Sequence, residues 1–237
     1  MTFVFQAASR GMSDKLTIKV QGQEIDLHTN AADVTAAFVR NVVGVAPFVG
    51  PIAAELITST IPNQKMERVV IAIKVLEDRL KYVEEDLVNE KFRSDKFADL
   101  LEDALPQMAR ALTVERRAYI ANLLSKSITD DTLDHLAQKK LLSVLNELND
   151  AEIILLHFYA IRRADKPKSD KMLEEYPFIQ GALRSFDEDD ADEKELMFRT
   201  YRGTLFMDSL LMGPPEDEYP SPMGYLLLRY IQPERIS

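Results

Sequence analysis

Met66-Glu67-Arg68-Val69-Val70-Ile71-Ala72-Ile73-Lys74-Val75-Leu76-Glu77-Asp78-Arg79-Leu80, continued by Lys81-Tyr82-Val83-Glu84-Glu85-Asp86-Leu87, decides how this chain folds. Val69, Ile73, Leu76, Leu80, Val83 and Leu87 recur in alternating steps of four and three. A repeat averaging about 3.5 residues is the seam of a helix packed along its whole length. The spacing predicts one helix from about residue 63 to residue 92, with Lys74, Asp78, Lys81 and Glu85 facing outward.

The stretch just ahead, Asn41 to Pro62, carries a single charge, Glu55, and is interrupted by Gly44, Pro47, Gly50 and Pro51. It is too broken for a membrane-spanning helix and too apolar for a free loop. Val45, Phe48, Ile52, Leu56 and Ile57 are its candidate packing or membrane-active side chains. The leading expectation is a tight pair of segments buried against the seam. The alternative is a membrane-perturbing segment, held in the bundle until a signal releases it into the bilayer interface.

Composition narrows the function. A chain of 237 residues with 46% hydrophobic residues can bury a substantial core. It has no cysteine, which excludes disulfides, thiol nucleophiles and thiolate-bound zinc. The formal net charge of −10 opposes capture of nucleic acid or of an anionic membrane by the chain as a whole. The start, Met1-Thr2-Phe3-Val4-Phe5, has no cationic region ahead of an apolar one, so a cytoplasmic location is expected; Met12 offers a second start.

Taken in order, Leu16, Ile18 and Val20 alternate with polar residues, Gly22 breaks the run, and Ile25 and Leu27 resume it, which reads as a short β-hairpin. Thr29 or Asn30 caps a helix to Val43. After the seam helix, Ser94-Asp95 opens a helix that Pro106 bends or restarts, and Thr113 caps the next. Thr129-Asp130 opens a helix carrying Leu133, Ala137, Leu141, Val144 and Leu148, and Asn149-Asp150 opens another. Asp165-Lys166-Pro167-Lys168-Ser169 reads as a linker. Asp187 to Glu193 is almost purely acidic and precedes a helix with Phe198, Tyr201, Leu205, Phe206 and Leu210. Gly213 to Pro220 reads as a loop, and Ser221-Pro222 opens a last helix that buries Tyr225, Leu228 and Ile231.

Constellations for chemistry are missing. His135 follows Asp131 by four residues, one helical turn, but two ligands do not make a metal site. His157 lies in an apolar run and reads as a core histidine. The acidic run lacks the glycine at the sixth position and the glutamate at the twelfth that a calcium loop requires. No phosphate loop or nucleophile elbow is present. No enzymatic activity and no metal or cofactor are expected.

Gly50-Pro51-Ile52-Ala53-Ala54-Glu55-Leu56-Ile57, Ile61-Pro62-Asn63-Gln64-Lys65-Met66-Glu67-Arg68 and Leu112-Thr113-Val114-Glu115-Arg116-Arg117 follow in an order that resembles a group of uncharacterised bacterial helical-bundle proteins. Those proteins tend to occur among mobile-element and phage-defence genes. Ser221-Pro222-Met223-Gly224-Tyr225-Leu226 is similar to the helix that follows the wing in winged-helix domains, and Leu148 to Leu156 resembles the opening helix of such a module. The resemblance implies a degenerate winged-helix-like portion. Its recognition helix would lie around residues 196–211, with Arg199 and Arg202 as candidate nucleic-acid contacts.

The expectation is therefore a mainly α protein: a hairpin region (1–29), an antiparallel helical bundle (30–165) and a winged-helix-like portion (166–237). The expected function is non-enzymatic interaction or homo-oligomerisation, plausible in a bacterial defence or stress system, with a protein partner or self. Membrane perturbation is the alternative and DNA-binding regulation the third reading, disfavoured by the charge.

Overall fold

The computed structural model describes residues 17–20, 23–26, 65–183, 193–214 and 217–232. At the N-terminal side β1 (Thr17–Val20) pairs antiparallel with β2 (Gln23–Asp26), in register from Thr17 opposite Asp26 to Val20 opposite Gln23. The helix expected over 29–43 and the apolar stretch with Val45, Phe48, Ile52, Leu56 and Ile57 lie outside the described residues.

The seam forms α1 (Met66–Leu80), in which Val69, Ala72, Ile73, Leu76 and Leu80 are buried. It is shorter than the spacing predicts. The chain turns at Lys81 to Glu84 and restarts as α2 (Glu85–Phe92). A helix of thirty residues would run about 45 Å, far past the sixteen-residue helices it packs against. The turn folds that excess back and changes the phase: Val88 and Phe92 are buried, while Val83 and Leu87 are only half-buried.

Ser94 caps α3 (Asp95–Arg110), accepting a hydrogen bond from the Phe97 amide. Pro106 sits inside this helix without restarting it. Arg68, in the first turn of α1, donates to the Ala109 carbonyl at the far end of α3, so the two helices run antiparallel. Thr113 caps α4 (Val114–Thr129) through the Arg116 amide, and α4 buries Ile120, Ala121, Leu123, Leu124 and Ile128 against α1 and α3.

The next helix, α5 (His135–Glu147), starts later than expected, because Asp134 is its cap. Asp130 is occupied elsewhere: its carboxylate accepts from the amide and hydroxyl of Thr132 and pairs with Arg229. Such a local turn competes with helix initiation. α6 (Asp150–Ile161) opens on a reciprocal capping box between Asn149 and Glu152. That satisfies two of the amide donors a helix start leaves open.

The stretch read as a linker is helical. Asp165 caps α7 (Lys166–Glu175), with Pro167 in its first turn, where a missing N–H costs nothing. After it come α8 (Phe178–Leu183), α9 (Glu193–Met207), the short antiparallel pair β3 (Leu211–Met212) and β4 (Tyr219–Pro220), and α10 (Pro222–Ile231). The region read as a loop thus ends in a strand. Residues 187–192 of the acidic run lie outside the described residues.

α10 starts as expected, with Ser221 accepting from the Gly224 amide. A side chain at Gly224 would collide with the Leu210 carbonyl oxygen, so the start of α10 sits directly on the turn after α9. Its buried set differs from the expectation: Leu228 and Ile231 are inside, but Tyr225 is 49% exposed and Tyr230 is buried instead. α10 packs on α4, and the buried Asn122 side chain donates to the Ile231 carbonyl at 2.7 Å. Apolar side chains from α1 to α10 therefore share one core.

Candidate interaction face

α9 packs on α8, on α6 and on β3. Phe198 and Tyr201 pack on Phe178 of α8, with ring centroids 5.8 and 6.1 Å away. Gly181 allows this approach, because a Cβ there would lie 2.7 Å from the Phe198 ring. Leu205 completes the inward side.

The two arginines of α9 point inward as well. Arg199 is 1% exposed and Arg202 is 6% exposed, so neither stands at the surface as a nucleic-acid contact. Arg202 donates from Nε to both carboxylate oxygens of Glu218, at 2.8 and 3.0 Å, and from a terminal nitrogen to one of them. The Tyr159 hydroxyl of α6 donates to the same carboxylate at 2.6 Å. Arg162 donates to the backbone carbonyl of Glu218, and Arg163 pairs with Asp217. Three consecutive residues, Asp217, Glu218 and Tyr219, are thereby fastened to the end of α6.

Buried ions require this density of partners. Desolvating a guanidinium costs several kcal/mol unless a carboxylate and further hydrogen bonds compensate it. Burial and the Glu218 carboxylate push the Tyr159 hydroxyl well above its ordinary value, so it stays a proton donor.

With its cations inside, α9 shows solvent a different side. Leu196 is 52% exposed, Met197 56% and Met207 85%. Thr200 lies exposed on the same face, its hydroxyl donating to the Leu196 carbonyl, whereas Thr204, which donates to the Thr200 carbonyl, is half-buried and its side chain also hydrogen-bonds the Glu152 carboxyl of α6. The Thr200 hydroxyl is thus occupied within the helix, which lowers its demand for an outside partner. Gly203 adds open space, with nothing within 4 Å of the position a Cβ would take. The face is apolar and free of exposed cations among the described side chains.

Elsewhere the polar groups serve packing. His135 contacts Asp99 at 2.7 Å, while Asp131 pairs with Lys91, so the pairing of His135 with Asp131 does not form. Lys139 and His135 together hold the Asp99 carboxyl below its usual range. His157 is half-buried. A cavity of about 300 Å³ between α3, α4 and α5 is lined by Gln107, Arg110, Arg116 and Asn146, among others. Arg116 is committed there: it bonds Asp150 and the carbonyls of Leu145 and Leu148, each at 2.7 Å. Among the described residues no cluster of three or more His, Asp or Glu is placed to hold a metal ion, and no helix is long and apolar enough to cross a membrane.

The sequence reading missed Glu218 and the outward face. Glu218 sits among Pro214, Pro215, Asp217 and Pro220, where nothing marks one carboxylate as buried. The outward face had a signal. Leu196-Met197-Phe198 and Leu205-Phe206-Met207 are runs of three apolar residues, and three neighbours span about 200° of a helix, more than one buried face.

No family model matches the chain, and neither the curated proteins nor the solved structures contain a match to it.

Proposed function

We propose that this chain is a non-enzymatic interaction module that docks another protein on the outward face of α9. The observation that carries the reading is the exposure of Leu196, Met197 and Met207 on a helix whose arginines are turned inward. An apolar helical face of this kind is a protein-recognition surface, since isolated apolar residues scatter but aligned ones mark contact. The order α6, α7, α8, α9, then the β3–β4 pair and α10, supports reading residues 148–231 as a degenerate winged helix. In that reading α9 stands where a DNA-reading helix would, but offers Leu, Met and Thr to the outside. The burial of Arg199 and Arg202 favours a protein over a nucleic acid. A place in a bacterial defence or stress system rests on the sequence resemblance alone.

The test is a photo-crosslinking residue placed at position 197 or 207 of the full chain in cells, with Ser143, exposed on α5, as the control position. Discrete protein adducts at 197 and 207 and none at 143 are expected. Adducts to nucleic acid at 197, or the same adducts from 143, would overturn the assignment.

A further inference from the structure

We infer that the cavity between α3, α4 and α5 binds a small organic acid, one carboxylate on a compact apolar body, at a site separate from the α9 face. The starting point is a local excess of cations in a chain of net charge −10. Arg68, Arg110 and Arg117 each donate to a carbonyl at the end of α3: Ala109 at 3.3 Å, Pro106 at 3.2 Å and Ala111 at 3.1 Å. These bonds answer the negative end of the helix dipole, which is worth about half a charge. Three guanidinium groups exceed it. None of the three pairs with a carboxylate among the described residues, and their neighbours in sequence, Glu67 and Glu115, are exposed. Arg117 is only 8% exposed, and its Nε is buried with no acceptor. A buried guanidinium without a counter-ion is costly, and an anion held nearby lowers that cost.

Of the three, Arg110 lines the cavity. Its Nε is held by the Pro106 carbonyl, while its two terminal nitrogens have no partner among the described residues. A guanidinium fixed at one nitrogen presents the remaining pair as a fork, the geometry that takes a carboxylate. Arg110 and Asn146 are exposed and mark the mouth; Ile120 and Leu148 are buried and mark the floor. The walls are braced apart. Arg116 ties α4 to the Leu145 and Leu148 carbonyls and to Asp150, and Gln107 of α3 donates to the Leu142 carbonyl of α5. Closing the cavity would break these bonds. Because Asp150 neutralises Arg116, one unpaired cation remains at the mouth, which suits a monoanion. The volume of about 300 Å³ decides the source of that anion. At a share of about 30 Å³ per water it holds roughly ten heavy atoms. The side chain of a partner's glutamate, about five heavy atoms, would leave about half of it empty, whereas a free acid of about ten fills it.

The experiment follows backbone amide NMR shifts of the full chain at constant ionic strength while benzoate, its neutral isostere benzamide, or inorganic phosphate is added. Saturable shifts at residues 107, 110, 111 and 146 are expected with benzoate and with neither of the others. Arg110→Gln changes an exposed side chain, so the fold stays in place, and should weaken benzoate at least about tenfold. Lys96→Gln, exposed at the other end of α3, should leave benzoate binding unchanged. Equal binding of benzamide would overturn the carboxylate, and equal binding of phosphate would overturn the apolar body. Undiminished binding to Arg110→Gln, or shifts that never saturate, would overturn the site itself. Discrete protein adducts from a photo-crosslinking residue at position 146 in cells would replace the free acid with a partner's side chain.

Discussion

α1 and α9 are both fifteen-residue helices, and both carry residues at the same four-three-four spacing: Val69, Ile73, Leu76, Leu80 in one and Leu196, Thr200, Gly203, Met207 in the other. In α1 that line is 0 to 4% exposed, because α3 and α4 close over it. In α9 the line faces out, with Leu196 and Met207 largely open, while Arg199 and Arg202 lie buried on the opposite side. Apolar transfer favours this orientation, since Phe198, Tyr201, Leu205 and Phe206 pack inward, but it brings the two arginines in with them. The Glu218 carboxylate, fixed by Tyr159, accepts Arg202 and compensates its burial, while the edge-to-face and tilted rings of Phe178, Phe198 and Tyr201 hold the helix on its other neighbour. A periodic stripe therefore identifies a contact line, and the neighbouring elements determine which line of a helix goes inward.

The comparison breaks most readily at Glu218. Glu218→Ala strands a buried guanidinium and a buried phenol, and a loss of about 3–5 kcal/mol is expected. It should appear as a lower denaturation midpoint at unchanged slope. Adding Arg202→Met should return most of that loss, since an apolar side chain needs no counter-ion. If the double variant is no better than the single one, Glu218 acts by holding β4 rather than by orienting α9.

On the other side, Leu76→Ala removes a fully buried side chain from the α1 seam and should cost about 2–5 kcal/mol. Leu196→Ala, one position in an equivalent line, should change stability by less than about 0.5 kcal/mol. Thermal or urea unfolding of the two variants tests the contrast directly, and comparable losses would mean that the α9 line is covered.

Tyr159→Phe should cost about 1.5–3 kcal/mol, the range for a hydrogen bond to a charged acceptor. Its pH dependence follows from a raised folded value. The unfolded phenol ionises near 10, whereas the folded one keeps its proton. The stabilisation is thus complete below about pH 10 and is lost as the solution becomes more alkaline. The phenylalanine variant should show a shallower alkaline decline, the remainder coming from Tyr119, Tyr176 and Tyr230, whose hydroxyls are also raised, as urea midpoints measured from about pH 8 to about pH 11 would show.

These contrasts also explain what could be read in advance. Caps were legible because they are local: Ser94, Thr113, Asn149 and Ser221 each bond an amide three residues on. The seam from Val69 to Leu80 was legible because its period is set within one helix. Its end was not, since the turn at Lys81 to Glu84 reflects the length of the neighbouring helices, which no local pattern encodes. The start of α5 was misplaced for a similar reason: Asp130 is a good cap by type but is claimed by Thr132 and Arg229, the latter 99 residues away. Arg202 read as a surface cation because its burial depends on Glu218, a carboxylate beyond the helix. Tyr225 and Tyr230 exchanged places because either suits an amphipathic helix until its neighbours are known.

The smallest expected effect on stability tests the face most sharply. Met197→Glu places a charge on a side chain that is already 56% exposed, so no buried charge is created. Its change in unfolding free energy should stay within about 0.5 kcal/mol. A carboxylate brought into an apolar docking contact, by contrast, must be desolvated without a partner, which costs several kcal/mol. Normal unfolding with loss of the photo-crosslinked adduct from position 207 would thus separate an interface role from a structural one. An adduct that survives at full yield would show that Met197 lies outside the contact, and would move the docking surface toward the Met207 end of α9.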